Sequence, residues 1–314
     1  MLNAGATEPA TGAAVSSSDG RWWDAKRSRT IAVRIVAPTQ GDDPLPVVLF
    51  SHGLGGSLEG GALWSAHWAA RGYLVVHLQH PGSDRDLWEA KREEPREAFK
   101  ALKEGATGAQ LVARVGDVKF VIDEIARRKA AGDPALRRAD PDRLGMSGHS
   151  FGSQTTLAVS GQRFLRANAV ELMLLEPRIK AALALSPVAR NRQASAQTQF
   201  GSIRIPVMNI TGTRDGEVIG DGTVPADRTR PFENMPPPGK YLAVFDGGDH
   251  MVFGGHELRR VPTARDREIQ AGVKALSLAF WDAHLKGDAT AKAWLAGEGA
   301  RSALAKGDRY EAKP

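Results

Sequence analysis

Residues 144–153 read LGMSGHSFGS, a run that begins as a buried strand, turns sharply at Ser150 and starts a helix. Gly148, Ser150 and Gly152 fit the GxSxG pattern, in which two glycines let strand and helix pass closely while the serine hydroxyl stands out on a strained turn. Such a turn delivers the hydroxyl to a helix N-terminus, where unpaired N–H groups and the positive end of the helix dipole favour a developing negative charge. Ser150 is therefore the candidate nucleophile, and the N–H of Phe151 a candidate oxyanion donor. The pattern alone also fits a Gly-rich turn with a serine N-cap, in a chain holding 34 glycines. A base, an acid and a second oxyanion donor at suitable places decide between the two.

The 314 residues suffice for one large α/β domain or two small ones, and 42% hydrophobic residues suffice for a sizeable core. The formal charge of +6 comes from basic residues scattered in pairs such as Arg137/Arg138 and Arg259/Arg260. That is a mildly basic surface and not a nucleic-acid footprint. With no cysteine, disulfides, thiolate metal sites and a cysteine nucleophile are excluded. No segment reaches the ~18 apolar residues of a membrane span, and the first thirty residues lack the apolar core of a signal peptide. The expectation is a soluble protein, cytoplasmic as written, or periplasmic or secreted if a leader has been removed. Residues 1–28 are small and polar and read as a low-complexity or disordered tail, followed by a single domain over 29–314.

Along the chain, strands and helices alternate. RTIAVRIVAP (29–38) alternates apolar and polar residues like an outer strand, and PVVLFSHG (46–53) is continuously apolar over Val47 to Phe50, as a strand covered on both faces should be. Further strands are expected over 73–78, before Ser150, over 181–187, 205–211 and, last, 241–245. Helices are expected over 58–71, along the stripe Leu111, Val115, Val118, Ile122 and Ile125, and over 266–286. The charged stretch 84–106 reads as an exposed helix in preference to a flap. This alternation predicts an α/β fold with a mostly parallel central sheet and helices on both faces.

In such a sheet, function gathers at the carboxyl ends of the strands. His52 to Gly56, HGLGG, follows a strand there. A dinucleotide-binding reading fails because the sixth position counted from Gly53 is Leu58, and no Walker lysine is present. An HGxG-type oxyanion loop survives, with the N–H of Leu54 as second donor. Asp215, in GTRDGE just past a strand, is the candidate acid, with Glu217 and Asp221 as competitors. His250, in GGDH just past the last strand, is the candidate base, with His256 second. The order serine, acid, histidine is the one described for hydrolases of this kind. His149 should pack sideways, His52 should hold the oxyanion loop by hydrogen bonds, and His80 has a structural role. Trp64, Trp68, Trp88 and Phe253 are candidate walls of a substrate pocket, although aromatic side chains more often build cores.

With these parts placed, the chain resembles an α/β-hydrolase. HGLGG (52–56) and GHSFGS (148–153) are similar to the bacterial proteins called predicted dienelactone hydrolases and to platelet-activating-factor acetylhydrolases, and HPGSD (80–84) and FWDAHLKGDATAKAWL (280–295) resemble the bacterial group. The resemblance implies that Ser150 attacks an ester, His250 is general base and then acid, Asp215 orients His250, and the N–H groups of Leu54 and Phe151 hold the oxyanion. True dienelactone hydrolases use a cysteine nucleophile, which this chain lacks. The acetylhydrolase acid follows the strand after the nucleophile, where this chain has Ser186 and Pro187. The function expected is a serine carboxylic-ester hydrolase acting on small to medium esters, polymeric ones included, through an acyl-enzyme and without metal or organic cofactor. The same triad would serve amide, thioester, acyltransfer or perhydrolysis chemistry, and the reading outside enzymes is a binding protein on a hydrolase scaffold. No nucleic-acid partner is implied, and the oligomeric state is left open.

Overall fold

In the computed structural model, which describes residues 12–165, 171–188, 194–256 and 260–314, nine strands form one sheet. They are β1 (Val15–Asp24), β2 (Arg29–Pro38), β3 (Leu45–Ser51), β4 (Leu74–Gln79), β5 (Ala139–His149), β8 (Ile179–Leu185), β9 (Val207–Arg214), β10 (Lys240–Asp249) and β11 (Arg309–Lys313). The short strands β6 (Arg163–Leu165) and β7 (Glu171–Met173) pair only with each other. Across the sheet the order is β1-β2-β4-β3-β5-β8-β9-β10-β11. The six strands from β4 to β10 are parallel, and β1, β2 and β11 are antiparallel to their neighbours.

Continuous apolar runs explain the parallel centre, since a strand covered on both faces has no side left for water. Every residue of β3 is buried. Its alternate side chains serve two cores: Val48 and Phe50 join one with Trp64, Trp68, Phe253 and Phe280, while Leu45, Val47 and Leu49 join the other with Leu111, Val118 and Phe151. Helices α1 (Ala62–Ala69) and α8 (Ala264–Leu285) cover the first face, and α4 (Gly108–Ala130) and α5 (Phe151–Val159) the second. The shorter helices α2 (Asp86–Glu89), α3 (Pro95–Gly105), α6 (Ala196–Phe200) and α7 (Arg230–Asn234) lie in the connections. No helix among the described residues is long and apolar enough to cross a membrane.

Two expectations need correction. Residues 15–24, assigned to a disordered tail, form β1 in unbroken register with β2 from Val15↔Pro38 to Asp24↔Arg29. Their polar composition reflects an edge strand that exposes most of its side chains, while Trp22 turns inward, 3% exposed, under the Arg128 guanidinium. Residues 1–11 lie outside the described residues. The strand at 240–249 is also not the last: β11 adds antiparallel to it and buries Tyr310.

Candidate functional site

Four of the parallel strands deliver the candidate residues from their carboxyl ends. Ser51 at the end of β3 pairs in register with Gly148 of β5, so HGLGG and the Ser150 turn leave the sheet side by side. Beyond the intervening β8, β9 leads to Asp215 and β10 to His250.

The two elbow glycines are explained by close approach. A Cβ on Gly152 would stand 1.9 Å from the Ser51 carbonyl oxygen, and one on Gly148 would stand 2.4 Å from that of Gly152. Ser150 itself has φ 56° and ψ −116°, a conformation that L-residues rarely adopt and that surrounding structure must enforce. Enforcement comes from the Ser150 N–H bonded to Leu185 O at 3.0 Å and from the Ser153 hydroxyl bonded to the Ser150 carbonyl at 2.6 Å. The Ser150 side chain is thereby pushed out at the start of α5 and stays partly exposed.

His250 donates Nδ1–H to Asp215 Oδ1 at 2.7 Å, because a carboxylate can only accept. In a neutral ring that tautomer leaves Nε2 as a free base. Asp215 is fully buried, and its second oxygen accepts the Thr211 hydroxyl at 2.8 Å. Arg228, 2% exposed, places Nε 2.7 Å from Asp215 Oδ1 and donates to the carbonyls of Asp215, Gly216 and Ser186. One guanidinium thus pairs with this carboxylate and pins its loop. Glu217 and Asp221 accept backbone N–H groups of Gly222 and Thr223 in their own turn, whereas it is Asp215 that bonds to His250. The Asp215 carboxylate meets His250 and not His256.

His149 lies sideways against the His250 ring, with centroids 4.6 Å apart, and donates Nε2–H to the His250 carbonyl at 2.9 Å. That bond fastens the base loop to the residue preceding Ser150. Burial, with the His250 imidazole beside it, pulls the His149 pKa well below the ordinary histidine range, so the ring is neutral. No hydrogen bond joins Ser150 Oγ to His250 among the described residues. Such bonds commonly close only when substrate is present.

Of the two candidate oxyanion donors, neither the Leu54 nor the Phe151 N–H is spent on a backbone carbonyl among the described residues. The HGLGG loop makes a turn closed by Gly56 N–H to Gly53 O at 3.1 Å, with Gly55 at φ 69°, the positive φ that the third position of a type II turn requires. His52 behaves as expected. Its Nε2 accepts the His80 N–H at 3.0 Å, so the ring proton sits on Nδ1 and is donated to Gly53 O at 2.6 Å.

Three of the aromatic pocket candidates do not belong to a pocket. Trp64, Trp68 and Phe253 are all 0% exposed, with Trp64 Nε1 bonded to Phe253 O and Trp68 Nε1 to the Ser277 hydroxyl. Their apolar surface is consumed by the core under α1 and α8. Trp88 is half-buried and donates Nε1–H to Gly55 O at 2.8 Å. With Leu102 it fills the space a Cβ on Gly55 would need, so the 84–106 stretch packs on the HGLGG loop while keeping its outer face exposed.

A second cluster stands behind that loop and was not visible in the sequence. Ser51 Oγ lies 2.9 Å from His80 Nε2, and His80 Nδ1 lies 2.9 Å from Asp117 Oδ2, all three residues being 0% exposed. Asp117 also accepts from Arg27 and, through both oxygens, from Arg29. Burial opposes the Asp117 charge, but the bonds from His80 and Arg29 outweigh it and lower its pKa. Arg114, fully buried on α4, donates to the carbonyls of His52, Gly53 and Ser83 and to the Ser83 hydroxyl. The signal that could have found the pair is their spacing: Arg114 and Asp117 sit three residues apart inside the apolar stripe that buries Leu111 and Val118.

No protein-family model and no curated protein matches this chain. The functional reading therefore rests on the geometry and on the motifs that carry it.

Proposed function

We propose that the protein is a serine carboxylic-ester hydrolase of the α/β-hydrolase fold. The observation that carries this reading is the junction of β5 and α5, where Ser150 is held at positive φ directly after His149, whose ring packs on and bonds to His250, the histidine whose tautomer Asp215 fixes. A strained serine at a helix N-terminus has little structural purpose, whereas an outward hydroxyl beside a free imidazole nitrogen is what acyl transfer needs.

In the first half-reaction Ser150 Oγ bonds to the ester carbonyl carbon while His250 Nε2 takes the hydroxyl proton. The carbonyl oxygen becomes an oxyanion that accepts the N–H groups of Leu54 and Phe151. As the tetrahedral intermediate collapses, the C–O bond to the alcohol breaks and His250 returns its proton to the leaving oxygen. Water, deprotonated by the same imidazole, then attacks the acyl-enzyme and releases the acid. Asp215 keeps Nδ1 protonated throughout and stabilises the imidazolium without taking the proton.

The reading is tested with p-nitrophenyl esters of increasing acyl length, run on the wild type beside Ser150→Ala. Turnover that disappears in the variant supports it, and the length profile defines the acyl range. A purified wild type without turnover on any ester of the series counts against it.

A further inference from the structure

We propose that Arg114 is a positioning residue that aims the Leu54 N–H at the oxyanion by anchoring the carbonyl oxygens of His52 and Gly53 from behind. This inference rests on the ester-hydrolase reading above and goes beyond it to a residue with no contact to substrate.

A trans peptide points its N–H opposite to its C=O, so whatever fixes the Gly53 carbonyl also fixes the Leu54 N–H. Gly53 O accepts three donors: His52 Nδ1 at 2.6 Å, Gly56 N–H at 3.1 Å and Arg114 Nη2 at 3.4 Å. Arg114 is fully buried, so the carbonyl is drawn inward and the Leu54 N–H is turned to the loop's partly exposed side. On that side the loop runs close to the elbow: a Cβ on Gly53 would lie 3.5 Å from Ser150 Cβ. Arg114 Nη1 holds the preceding carbonyl, that of His52, at 2.7 Å. The same guanidinium lies 4.3 Å above the Phe151 ring, so it touches the peptide that carries one candidate oxyanion donor and the side chain of the residue that carries the other.

Charge strengthens the effect. The acceptors of Arg114 are carbonyls and hydroxyls, with His52 Nδ1 also 3.4 Å from Nη2, and no carboxylate is hydrogen-bonded to it among the described residues. A cation that polarises a peptide through its oxygen makes the N–H of that peptide a better donor. The chain Ser51, His80, Asp117 completes the mount. His80 directs Nδ1–H to Asp117, its Nε2 accepts the Ser51 hydroxyl proton, and Ser51 Oγ is free to accept Arg114 Nη1 at 3.4 Å. The His80 backbone N–H meanwhile fixes the His52 tautomer on which the Gly53 anchor depends.

The test compares wild type, Arg114→Met, Arg114→Lys and Ser83→Ala by kcat, KM and the Ki of an alkyl boronic acid, which forms a tetrahedral adduct resembling the oxyanion intermediate. Deleting an oxyanion donor outright costs about 10²–10³ in kcat, so misaiming one in Arg114→Met should cost about 10- to 10²-fold. KM should move by less than about threefold, and the boronic acid Ki should rise in proportion to the loss of kcat/KM. Arg114→Lys should recover part of the loss. Ser83→Ala removes the 2.8 Å bond to Arg114 Nε and the longer 3.3 Å bond from the hydroxyl to the His80 carbonyl while leaving the guanidinium in place, and so keeps the question answerable if Arg114→Met does not fold. It should lower kcat about 3- to 10-fold with KM unchanged. Folded variants that keep kcat and boronic acid Ki within threefold of wild type, or that lose activity through KM alone, overturn this role and leave the ester-hydrolase reading intact. A wild type that neither turns over esters nor binds the boronic acid overturns both.

Discussion

The molecule holds two sets of serine, histidine and aspartate at the carboxyl ends of one sheet, and they differ in what is left unspent. In the set Ser51, His80 and Asp117 each side chain is sealed from water, the hydroxyl is bonded, and the carboxylate accepts two arginines as well as the imidazole. In the set Ser150, Asp215 and His250 the acid is equally buried and satisfied, but the imidazole keeps a free nitrogen and the serine sits strained and partly exposed. Three residue types in contact therefore do not define a reactive site. A reactive site needs a hydroxyl that substrate can reach and a base whose lone pair no other partner has taken. The closed set does work of another kind, since it carries the loop that faces the open one.

Exchanging residues between the two roles should separate them widely. On the proposed reading, Ser150→Ala lowers kcat by on the order of 10⁴-fold or more and leaves the unfolding midpoint nearly unchanged. Ser51→Ala has the opposite profile: about 1–3 kcal/mol of stability lost, because His80 Nε2 is left buried without a partner, and a far smaller loss of turnover. Steady-state kinetics and urea unfolding on both variants check this, and similar profiles would erase the distinction.

The two carboxylates sharpen it. Asp215→Asn should cost on the order of 10⁴-fold in kcat, since an amide N–H facing Nδ1 favours the wrong tautomer. A loss of only a few fold would move the acid role elsewhere in the loop. Asp117→Asn should instead act mainly on folding, by about 3 kcal/mol, because Arg29 loses its carboxylate while Arg27 keeps only Asp24. Its midpoint in urea reads that loss directly.

These elements also mark where the sequence was informative. Ser150, Asp215 and His250 were legible because each follows an apolar strand within a glycine-flanked turn, and strand ends are recognisable from composition. The parallel centre was legible for the same reason, in runs such as Val47 to Phe50. Ser51, His80 and Asp117 were not, because they meet only after three distant elements pack. Arg228 stands in a short 3-10 turn with no periodicity to mark it. Edge strands failed differently: β1 is held by a backbone ladder and one inward Trp22, which leaves a serine-rich surface that reads as disorder. Trp64 and Phe253 were misjudged because proximity in sequence to candidate loops says nothing about which way a ring turns.

A further expected effect concerns acid. Burial pulls His77 and His80 down to about 4, with the charges of Arg34 and Arg114 respectively also opposing protonation, whereas in the unfolded chain both titrate near ~6.5. The unfolded chain therefore takes up protons first as pH falls. The stability contributed by these two neutral rings is complete above ~6.5 and is lost between there and about 4, by about 3 kcal/mol each at most. Urea midpoints from pH 7.5 to 4.5 should decline over that window, and a flat profile would show that the rings are not held neutral.

The central claim, that the open set and not the closed one reacts, is tested most directly by treating the active enzyme with a fluorophosphonate and mapping the modified peptide by mass spectrometry. The account predicts one label per chain, on Ser150, appearing in step with loss of esterase activity and leaving Ser51 untouched. Label on another residue, or full turnover with Ser150 quantitatively modified, would contradict it.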